Sequence, residues 1–308
     1  MSSSGAPRIG LVGCGRWGSL ILRDLQALGA TVDVVVRDRA ADEELRARGA
    51  HRVSGSVADL TGVDGVVVAV PTSVHAAVLD EVLALDVPTF VEKPVTCDAE
   101  SAARLARTAP DRLFVMDKWR YHPGVTQLRD LLASGHLGTL EGLRTVRVQW
   151  RNPHPDTDGV WILLPHDLSI ALEIVGEVPT PVGAVAWRRG GELGGMFGTL
   201  RFSDGTWMHV EVGVTATSSN RRIEVIGSDA TAVLAGGWEE EVLVQSAAPD
   251  GTVAEERIPA VGELPLLAEL RCFLDHLQGG PPPRSSAAEG AAVVAAIADM
   301  HRIAGVPG

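Results

Sequence analysis

Three glycines lie where an apolar run gives way to a helical pattern, and their spacing suits phosphate binding. Gly13, Gly15 and Gly18 form a G-x-G-x-x-G pattern. In such a turn the first glycine allows a sharp reversal, the second admits a pyrophosphate, and the third lets helix and strand pack closely. The N-terminus of the helix adds partial positive charge. The pattern predicts a dinucleotide site, to which Arg16 and Trp17 also belong.

The second apolar run ends in residues that bear on the choice of dinucleotide. An acidic residue there binds the ribose hydroxyls of NAD, whereas an arginine pairs with the 2′-phosphate of NADP. Arg37 takes the place of the acid, and Arg39 is close by. Asp38 follows Gly18 by about twenty residues and is able to serve the ribose. The segment favours NADP and leaves NAD open.

Lysine is rare enough in this chain to be informative. Of the 27 lysine and arginine residues, only Lys93 and Lys118 are lysines. Arginine stays planar and protonated, whereas burial shifts the pKa of a lysine readily. Lys93 ends a predicted parallel strand, with Glu92 as its local partner, and Asp117 and Lys118 end the next one. Since α/β sheets bind ligands at that edge, both lysines should point into the ligand cleft, and the Lys93 ammonium is placed to stabilise charge on a reacting oxygen.

The elements that must position these residues alternate along residues 8 to 119. Five short β-branched runs are separated by helical patterns, which is typical of a parallel sheet covered on both faces. Because crossover connections are right-handed, a doubly wound sheet is the economical arrangement. We therefore predict an α/β fold with an N-terminal Rossmann dinucleotide-binding domain over residues 1–119.

The pattern changes after residue 119. Strands of alternating polarity are separated by turn signals such as SDGT, which indicates an antiparallel sheet with one covered face. A helix is expected from His166 onward, and two helical stretches close the chain. We predict a C-terminal α+β substrate-binding and oligomerisation domain over residues 120–308 with a large, mostly antiparallel open sheet, its last helices able to pack on the first domain. The uncovered face predicts a homodimer or homotetramer.

Composition excludes several classes of function. The net charge of −12 and the pI near 5.2 argue against nucleic acid and anionic membranes as partners. The three cysteines include no C-x-x-C pair, which predicts neither disulfides nor a metal site. The polar N-terminus and the glycine-broken run after it resemble neither a signal peptide nor a membrane span. We expect a cytoplasmic protein with a small-molecule substrate.

The third and fourth apolar runs carry a family likeness. The segments AVPTSVHAAVLDEVL and VPTFVEKP, together with DKWRYHPGVTQLRDLLASGHLG, resemble the Gfo/Idh/MocA family (glucose-fructose oxidoreductase, inositol dehydrogenase and relatives) over most of the chain. The E-K-P motif is the most specific feature. The resemblance implies that Pro71, Thr72 and His75 line the cofactor pocket and that Lys93 contacts both nicotinamide and substrate.

The resemblance also implies a proton-transfer group in the second domain. The family uses a histidine, sometimes a tyrosine, in a pattern like W-D-L-G-x-H-D, and VWILLPHDLSI aligns His166 with it. Histidine suits the role because its ordinary pKa lies near neutrality. Ile162 replaces the family's aspartate and Leu164 its glycine. The substrate is then less hydroxylated, the site has decayed, or another carboxylate substitutes; a packing role for His166 also stays open. The candidate carboxylates are Asp117, Asp158 and Asp167.

Aromatic and cationic residues near the start of the second domain form a predicted substrate wall. Such side chains stack on sugar rings and bind carboxylates or phosphates. The residues predicted to bind substrate are Lys118, Trp119, Arg120 and Trp161. Further candidates for this wall are Trp150, Arg151 and His154.

These features predict an NAD(P)-dependent oxidoreductase that transfers a hydride between nicotinamide and a carbonyl or carbinol of a sugar, nucleotide-sugar or cyclitol. Lys93 would polarise the oxygen, and His166 would give or take the proton. An imine or thiazoline reductase on the same scaffold is one alternative. Another is a non-catalytic dinucleotide-binding sensor or corepressor, which the loss at Ile162 favours. Tyr121 is the single tyrosine, which argues against a short-chain dehydrogenase with its Tyr-x-x-x-Lys pair.

Overall fold

The chain divides into two compact units. The first comprises Met1–Lys118 and Leu264–Val294, and the second comprises Trp119–Glu263 and Ala295–Gly308. The computed structural model describes residues 5–154, 156–237 and 239–306, apart from the side chain of Arg39. Within these ranges, no helix combines the length and the apolar character that crossing a membrane requires.

A parallel sheet forms the centre of the first unit. Its strands are β1 (Arg8–Val12), β2 (Thr31–Val35), β3 (Arg52–Ser54), β4 (Gly65–Val68), β5 (Thr89–Glu92) and β6 (Leu113–Met116). In the part of the chain that the structure describes, the order is β3-β2-β1-β4-β5-β6 and every pair is parallel. The predicted doubly wound sheet is confirmed. The edge strand β3 is an addition, because three residues are too few to show a strand pattern.

Four helices connect these strands. They are α1 (Arg16–Ala27), α2 (Asp42–Ala47), α3 (His75–Leu83) and α4 (Ala99–Thr108). The strands are buried almost throughout, as expected for a sheet covered on both faces. This burial explains why their sequences are continuous apolar runs rather than alternating ones.

The second unit contains a large open sheet. Its strands are β7 (Leu140–Trp150), β8 (Thr180–Arg189), β9 (Glu192–Arg201), β10 (Trp207–Gly213), β11 (Thr215–Gly227), β12 (Thr231–Ala235), β13 (Glu241–Ala247) and β14 (Val253–Pro259). Among the described residues the order is β14-β13-β12-β11-β7-β10-β9-β8, with β7 and β10 as the one parallel pair. The predicted mostly antiparallel sheet is confirmed.

Two helices, α5 (Pro123–Ala133) and α6 (Gly159–Val175), pack on one face of this sheet. The sequence predicts that helix α6 starts at His166, but the helix begins seven residues earlier, at Gly159. Asp158 explains the difference, because its side chain accepts hydrogen bonds from the backbone N–H groups of Val160 and Trp161. The helix continues through Pro165 and is buried along almost all of its length.

The closing helices are α7 (Pro265–Leu277) and α8 (Ala287–Ile303). Helix α7 belongs to the first unit, where Phe273 stacks on Phe90 of β5 with ring centroids 5.1 Å apart. Leu270 and Phe273 are fully buried in the same core as Ile9 and Leu22. Burial of each such side chain stabilises the fold by about 1.5–3 kcal/mol. A distant part of the chain thereby completes the layer that covers the parallel sheet.

Candidate functional site

The turn between β1 and α1 has the geometry that its three glycines predict. Gly13 has a φ of +91°, and its N–H donates to the carbonyl of Val35 at 2.9 Å. A Cβ atom at Gly13 would overlap the carbonyl oxygen of Ala69, and one at Gly18 would overlap that of Gly13. A Cβ at Gly15 would meet nothing within 4 Å. Two glycines therefore permit packing, and the third borders open space.

That open space lies at the N-terminus of α1. Gly15 is the residue before the helix, and the first turn contains no acidic side chain among the described residues. The N–H groups of a first helical turn have no partners within the helix, and they carry partial positive charge. A pyrophosphate suits this place, because it is negatively charged and accepts hydrogen bonds from these N–H groups. Arg16 and Trp17 form the first turn itself.

The end of β2 offers a cation and an acid. Arg37 and Asp38 are both exposed. One carboxylate oxygen of Asp38 accepts a hydrogen bond from the N–H of Ala40 at 2.9 Å, which commits it to the local turn. Arg39 lies in the same turn, but its side chain is outside the described residues.

The turn after β4 is tied to the E-K-P segment by one histidine. His75 is buried at the start of α3, and its Nδ1 lies 2.9 Å from the carbonyl oxygen of Pro94. Its Nε2 lies 3.0 Å from the carbonyl oxygen of Val70. Thr72 is buried in the intervening turn, and Pro71 precedes it exposed. The peptide bond between Lys93 and Pro94 is cis.

Glu92, at the carboxyl end of β5, feels the positive charge of both lysines of the chain. The Nε1 of Trp17 donates a hydrogen bond to Glu92 Oε1. The Nζ of Lys118 lies 4.3 Å from the centroid of the Trp17 ring. Burial raises the pKa of Glu92, while the charges of Lys93 and Lys118 and the hydrogen bond from Trp17 oppose that rise. Trp17, in the first turn of α1, thus contacts both Glu92 and Lys118.

Helix α7 adds an acid that sequence reasoning missed. Glu269 is 1% exposed, and its Oε2 has no hydrogen-bond partner in the described part of the chain. Burial raises its pKa well above the ordinary value, and the negative charges of Glu92 and Asp117 raise it further, against the pull of Lys118. The available signal was a charged residue within the apolar pattern LPLLAELRCFL.

His166 lies in an aromatic and cationic wall within the second unit. It is partly exposed in a helix whose neighbouring residues are buried. Its ring centroid is 6.5 Å from that of Trp119, which stacks on His122 at 4.8 Å. The Arg147 guanidinium carbon lies 4.5 Å from the Trp119 ring centroid. Arg147 Nε donates to Asp167 Oδ2 at 2.9 Å, and both residues are buried. Sequence reasoning missed Arg147.

Two other predicted substrate residues have contacts of their own. Arg120 is buried, and its Nε lies 3.1 Å from a carboxylate oxygen of Glu173. Trp161 is buried and stacks on His301 with ring centroids 5.2 Å apart. Asp158, one of the candidate carboxylates, caps α6 and also lies 3.3 Å from His301. Arg120 and Trp161 thus contact Glu173 and His301, whereas His166 contacts Trp119.

The remaining candidates of the predicted wall lie at the surface. Trp150 is 47% exposed, and the guanidinium carbons of Arg151 and Arg189 lie 5.9 and 5.1 Å from its ring centroid. His154 is exposed as well. Ile162, which the resemblance aligns with the family's aspartate, is 5% exposed.

Two regions of the chain match models of known protein families. Residues 7–115 match the family described as "Oxidoreductase family, NAD-binding Rossmann fold". Residues 125–233 match the "GFO/IDH/MocA C-terminal domain". The two matched regions belong to one family and follow each other along the chain in the order of the two sheets.

Curated relatives include two bacterial dehydrogenases. UDP-N-acetylglucosamine 3-dehydrogenase of Acidithiobacillus ferrooxidans is 31% identical over 186 residues, which are 58% of this chain and 57% of that protein. Myo-inositol dehydrogenase Hyg17 of Streptomyces leeuwenhoekii is 32% identical over 145 residues, 45% of each chain. The chain spans about half the length of the curated relatives it matches.

Solved structures show the same fold. UDP-N-acetylglucosamine 3-dehydrogenase GnnA from Acidithiobacillus ferrooxidans superimposes with a TM-score of 0.83 at 25% identity, covering 96% of both chains. Levoglucosan dehydrogenase in complex with NADH and levoglucosan has a TM-score of 0.87 at 17% identity, covering 97% of both. With both regions matched, a shared fold and a glycine turn that suits a pyrophosphate, this chain belongs to the Gfo/Idh/MocA family of oxidoreductases with an NAD-binding Rossmann fold.

Proposed function

We propose that this protein is an NAD(P)-dependent dehydrogenase or reductase that transfers a hydride between nicotinamide and a carbonyl or carbinol of a sugar, nucleotide-sugar or cyclitol. The observation that carries the proposal is that Trp17, beside a turn that suits a pyrophosphate, contacts both Glu92 and Lys118. The charges of Lys93 and Lys118 both act on that carboxylate. Relatives named for UDP-N-acetylglucosamine and for inositol support the substrate class.

The first unit contributes cofactor binding and activation of the oxygen. The N–H groups at the start of α1 would bind the pyrophosphate beside Gly15. Glu92 accepts a hydrogen bond from Trp17 and holds that side chain in the first turn of the helix. When bound, the dinucleotide supplies or accepts the hydride at its nicotinamide ring. The Lys93 ammonium stabilises negative charge on the substrate oxygen, and Lys118 adds a second positive charge beside Glu92.

The second unit contributes proton transfer. His166 gives or takes the proton of the carbinol oxygen, since it is partly exposed and its ordinary pKa lies near neutrality. Trp119 lies beside the imidazole, with ring centroids 6.5 Å apart, and forms part of the apolar wall next to it. For Arg120 the ion pair with Glu173 supports a role in holding this region together.

We test this function with NADPH and NADH against a panel of keto-sugars, cyclitols, nucleotide-sugars and one cyclic imine. Lys93→Met and His166→Asn should each lower kcat by about 10²–10⁴-fold while dinucleotide affinity persists. His136→Asn changes an exposed histidine and serves as the matched control. Undiminished turnover in both variants would refute the assigned roles.

One observation favours a second candidate function. Ile162, which the resemblance aligns with a substrate-binding aspartate of the family, is apolar and buried, and this suits a dinucleotide-binding sensor. Tight dinucleotide binding without turnover of any substrate in the panel would support this sensor, whereas turnover of the cyclic imine alone would support an imine reductase.

NADP is the proposed form of the cofactor. Arg37 is exposed at the end of β2, and the neighbouring Asp38 is engaged by the N–H of Ala40. Arg37→Ser should weaken NADPH binding by about tenfold or more, because a charge-assisted hydrogen bond contributes about 1.5–3 kcal/mol. NADH binding should change little, and Arg107→Ser, on α4, should change neither. A wild-type preference for NADH would contradict the choice.

The open face of the large sheet is the proposed interface with a second copy of the chain. Val185 and Phe197 are directly paired across β8 and β9 and are 67% and 49% exposed. The same face carries both signs of charge, with Arg144 3.6 Å from Glu224. A two-fold interface requires a surface that complements itself, and an apolar patch flanked by mixed charges meets that condition.

A further inference from the structure

Two arginines face each other across neighbouring strands of the second unit. Arg147 of β7 and Arg221 of β11 are directly opposite in the antiparallel register, so their side chains lie on one face of the sheet. Thr145 and Ile223, the next residues on that face, are buried, which identifies it as the face that the helices cover. Like charges directly opposite destabilise a sheet. The pair therefore needs compensation by negative charge.

The described residues provide one carboxylate for the two guanidinium groups. Asp167 accepts a hydrogen bond from Arg147 Nε at 2.9 Å. The Arg221 side chain makes no hydrogen bond to any residue within the described ranges, although it lies close enough to Asp167 and Arg147 to interact electrostatically. Burial lowers the pKa of Arg221, and the charge of Arg147 lowers it further, against the pull of Asp167. One positive charge is left over.

Arg221 borders the same wall as His166. A Cβ atom at Gly237 would lie 3.2 Å from Arg221 Nη1 and 3.3 Å from the Trp119 ring. The side chains of Arg221 and Trp119 therefore both border Gly237. Trp119 in turn contacts Arg147 and lies edge-on to His166. The spare guanidinium thus belongs to the surface that presents the proposed proton-transfer group.

We propose that Arg221 binds an anionic oxygen group of the substrate, a carboxylate or a phosphate, in the site that contains His166. A guanidinium donates two parallel hydrogen bonds to either group, and the leftover charge favours an anion over a neutral sugar. This inference rests on the proposed function and narrows its substrate class to sugar acids, sugar phosphates or nucleotide-sugars.

Calorimetry on the NADP⁺-saturated protein tests this inference. The probes are D-glucuronate, D-glucose 6-phosphate and UDP-N-acetylglucosamine, with D-glucose as the neutral counterpart. We expect at least one anionic probe to bind about tenfold or more tightly than D-glucose. Arg221→Met should abolish that preference, and Arg221→Lys should retain part of it. The probe that is preferred distinguishes a carboxylate from a phosphate as the source of the charge.

Arg222→Met is the matched control. Arg222 is the next residue of β11, points to the opposite face and pairs with Glu224 at 2.6 Å, so its loss should leave all four affinities unchanged. A second readout separates binding from a structural role. Because Arg221→Met relieves repulsion with Arg147, its Tm without substrate should equal or exceed that of the wild type.

Two results would overturn the inference. One is equal affinity of the wild type for D-glucose and for every anionic probe. The other is an anionic preference that survives Arg221→Met. In either case hydride transfer to a neutral sugar that depends on Lys93 would leave the proposed function standing. The proposed function fails by a different result, which is that no substrate of the panel is turned over. The calorimetric affinities of the four probes would still test the role of Arg221 in that case.

Discussion

At the level of single residues, the glycines of the first turn have two different roles. Gly13 and Gly18 allow close packing of the backbone, whereas Gly15 leaves room for a ligand. Gly15→Ala should change the free energy of unfolding by less than about 1 kcal/mol, because the new Cβ meets nothing within 4 Å. It should nevertheless weaken NADPH binding, since the Cβ enters the space for the pyrophosphate. Gly18→Ala should cost about 1–3 kcal/mol, because its Cβ overlaps the carbonyl of Gly13. Thermal unfolding and fluorescence titration measure the two effects; equal loss of stability in both variants would contradict the division.

Glu269 predicts a pH dependence of stability. Its raised pKa means that the folded chain retains a proton that the unfolded chain loses first. The stabilising contribution is therefore complete below the ordinary glutamate pKa and is lost as the pH rises toward the raised value. Glu269→Gln keeps the shape and removes the charge, so its Tm should exceed that of the wild type at pH 8, with a difference that shrinks toward about pH 5.

Glu81→Gln changes an exposed glutamate of α3 and is the control for this experiment. Its Tm should follow the wild type at every pH. A difference between Glu269→Gln and the wild type that stays constant with pH would show that packing, rather than the buried charge, is responsible.

The residues of the candidate site were predictable only where local pattern and chemistry agree. The glycine turn and Lys93 follow strands whose apolar runs are visible in the sequence, so their common edge could be inferred. Glu269 and Arg221 could not, because each meets its neighbours through tertiary contacts over a long stretch of chain. No periodicity relates Glu269 of α7 to Glu92, or Arg221 to Arg147 across a strand pairing.

At the level of elements, helix α6 depends on Asp158 for two separable effects. The carboxylate caps the first turn by accepting from Val160 and Trp161, and it also lies 3.3 Å from His301. Burial lowers the pKa of His301, but the hydrogen bonds to Asp158 and to the carbonyl of Ile297 outweigh it and raise the pKa overall. The ion pair should therefore stabilise the fold at low pH and fade as the pH rises through the raised value.

Two substitutions separate the cap from the charge. Asp158→Ala should lower the free energy of unfolding by about 0.5–2 kcal/mol near pH 8.5, because the cap is lost, and by more near pH 6, because the ion pair with His301 is lost as well. Asp158→Asn should match the wild type near pH 8.5, since asparagine caps equally well, and should be less stable only near pH 6. Thermal unfolding at both pH values measures this. An Asp158→Asn protein as unstable as Asp158→Ala at the higher pH would remove the distinction.

Element boundaries were less predictable than element order. The start of α6 was placed too late, because the run VWILLP before His166 reads as apolar without a helical signature and contains Pro165. The capping role of Asp158 was hidden within a polar loop sequence. The short edge strand β3 gave no periodic signal at all, whereas the longer strands did.

At the level of the whole molecule, the sequence predicted both sheets and their classes. Continuous β-branched runs became a parallel sheet buried on both faces, and alternating runs became a sheet with one covered face. Alternation also predicts that the second face of the large sheet is open, and this is where Val185 and Phe197 are exposed. What occupies that face depends on surface shape and charge, which alternation does not specify.

Charge in the centre of this face should disrupt self-association. Val185→Asp combined with Phe197→Asp places two carboxylates at one directly paired position of β8 and β9. If a second copy packs there, desolvating these charges should shift the protein from dimer or tetramer to monomer at micromolar concentration, as measured by sedimentation velocity. Val261→Asp is the matched control, because Val261 is 72% exposed and lies outside the strands of the sheet. A monomeric wild type, or a double variant of unchanged mass, would rule out the interface, since burial of Val185 against a partner is incompatible with either result.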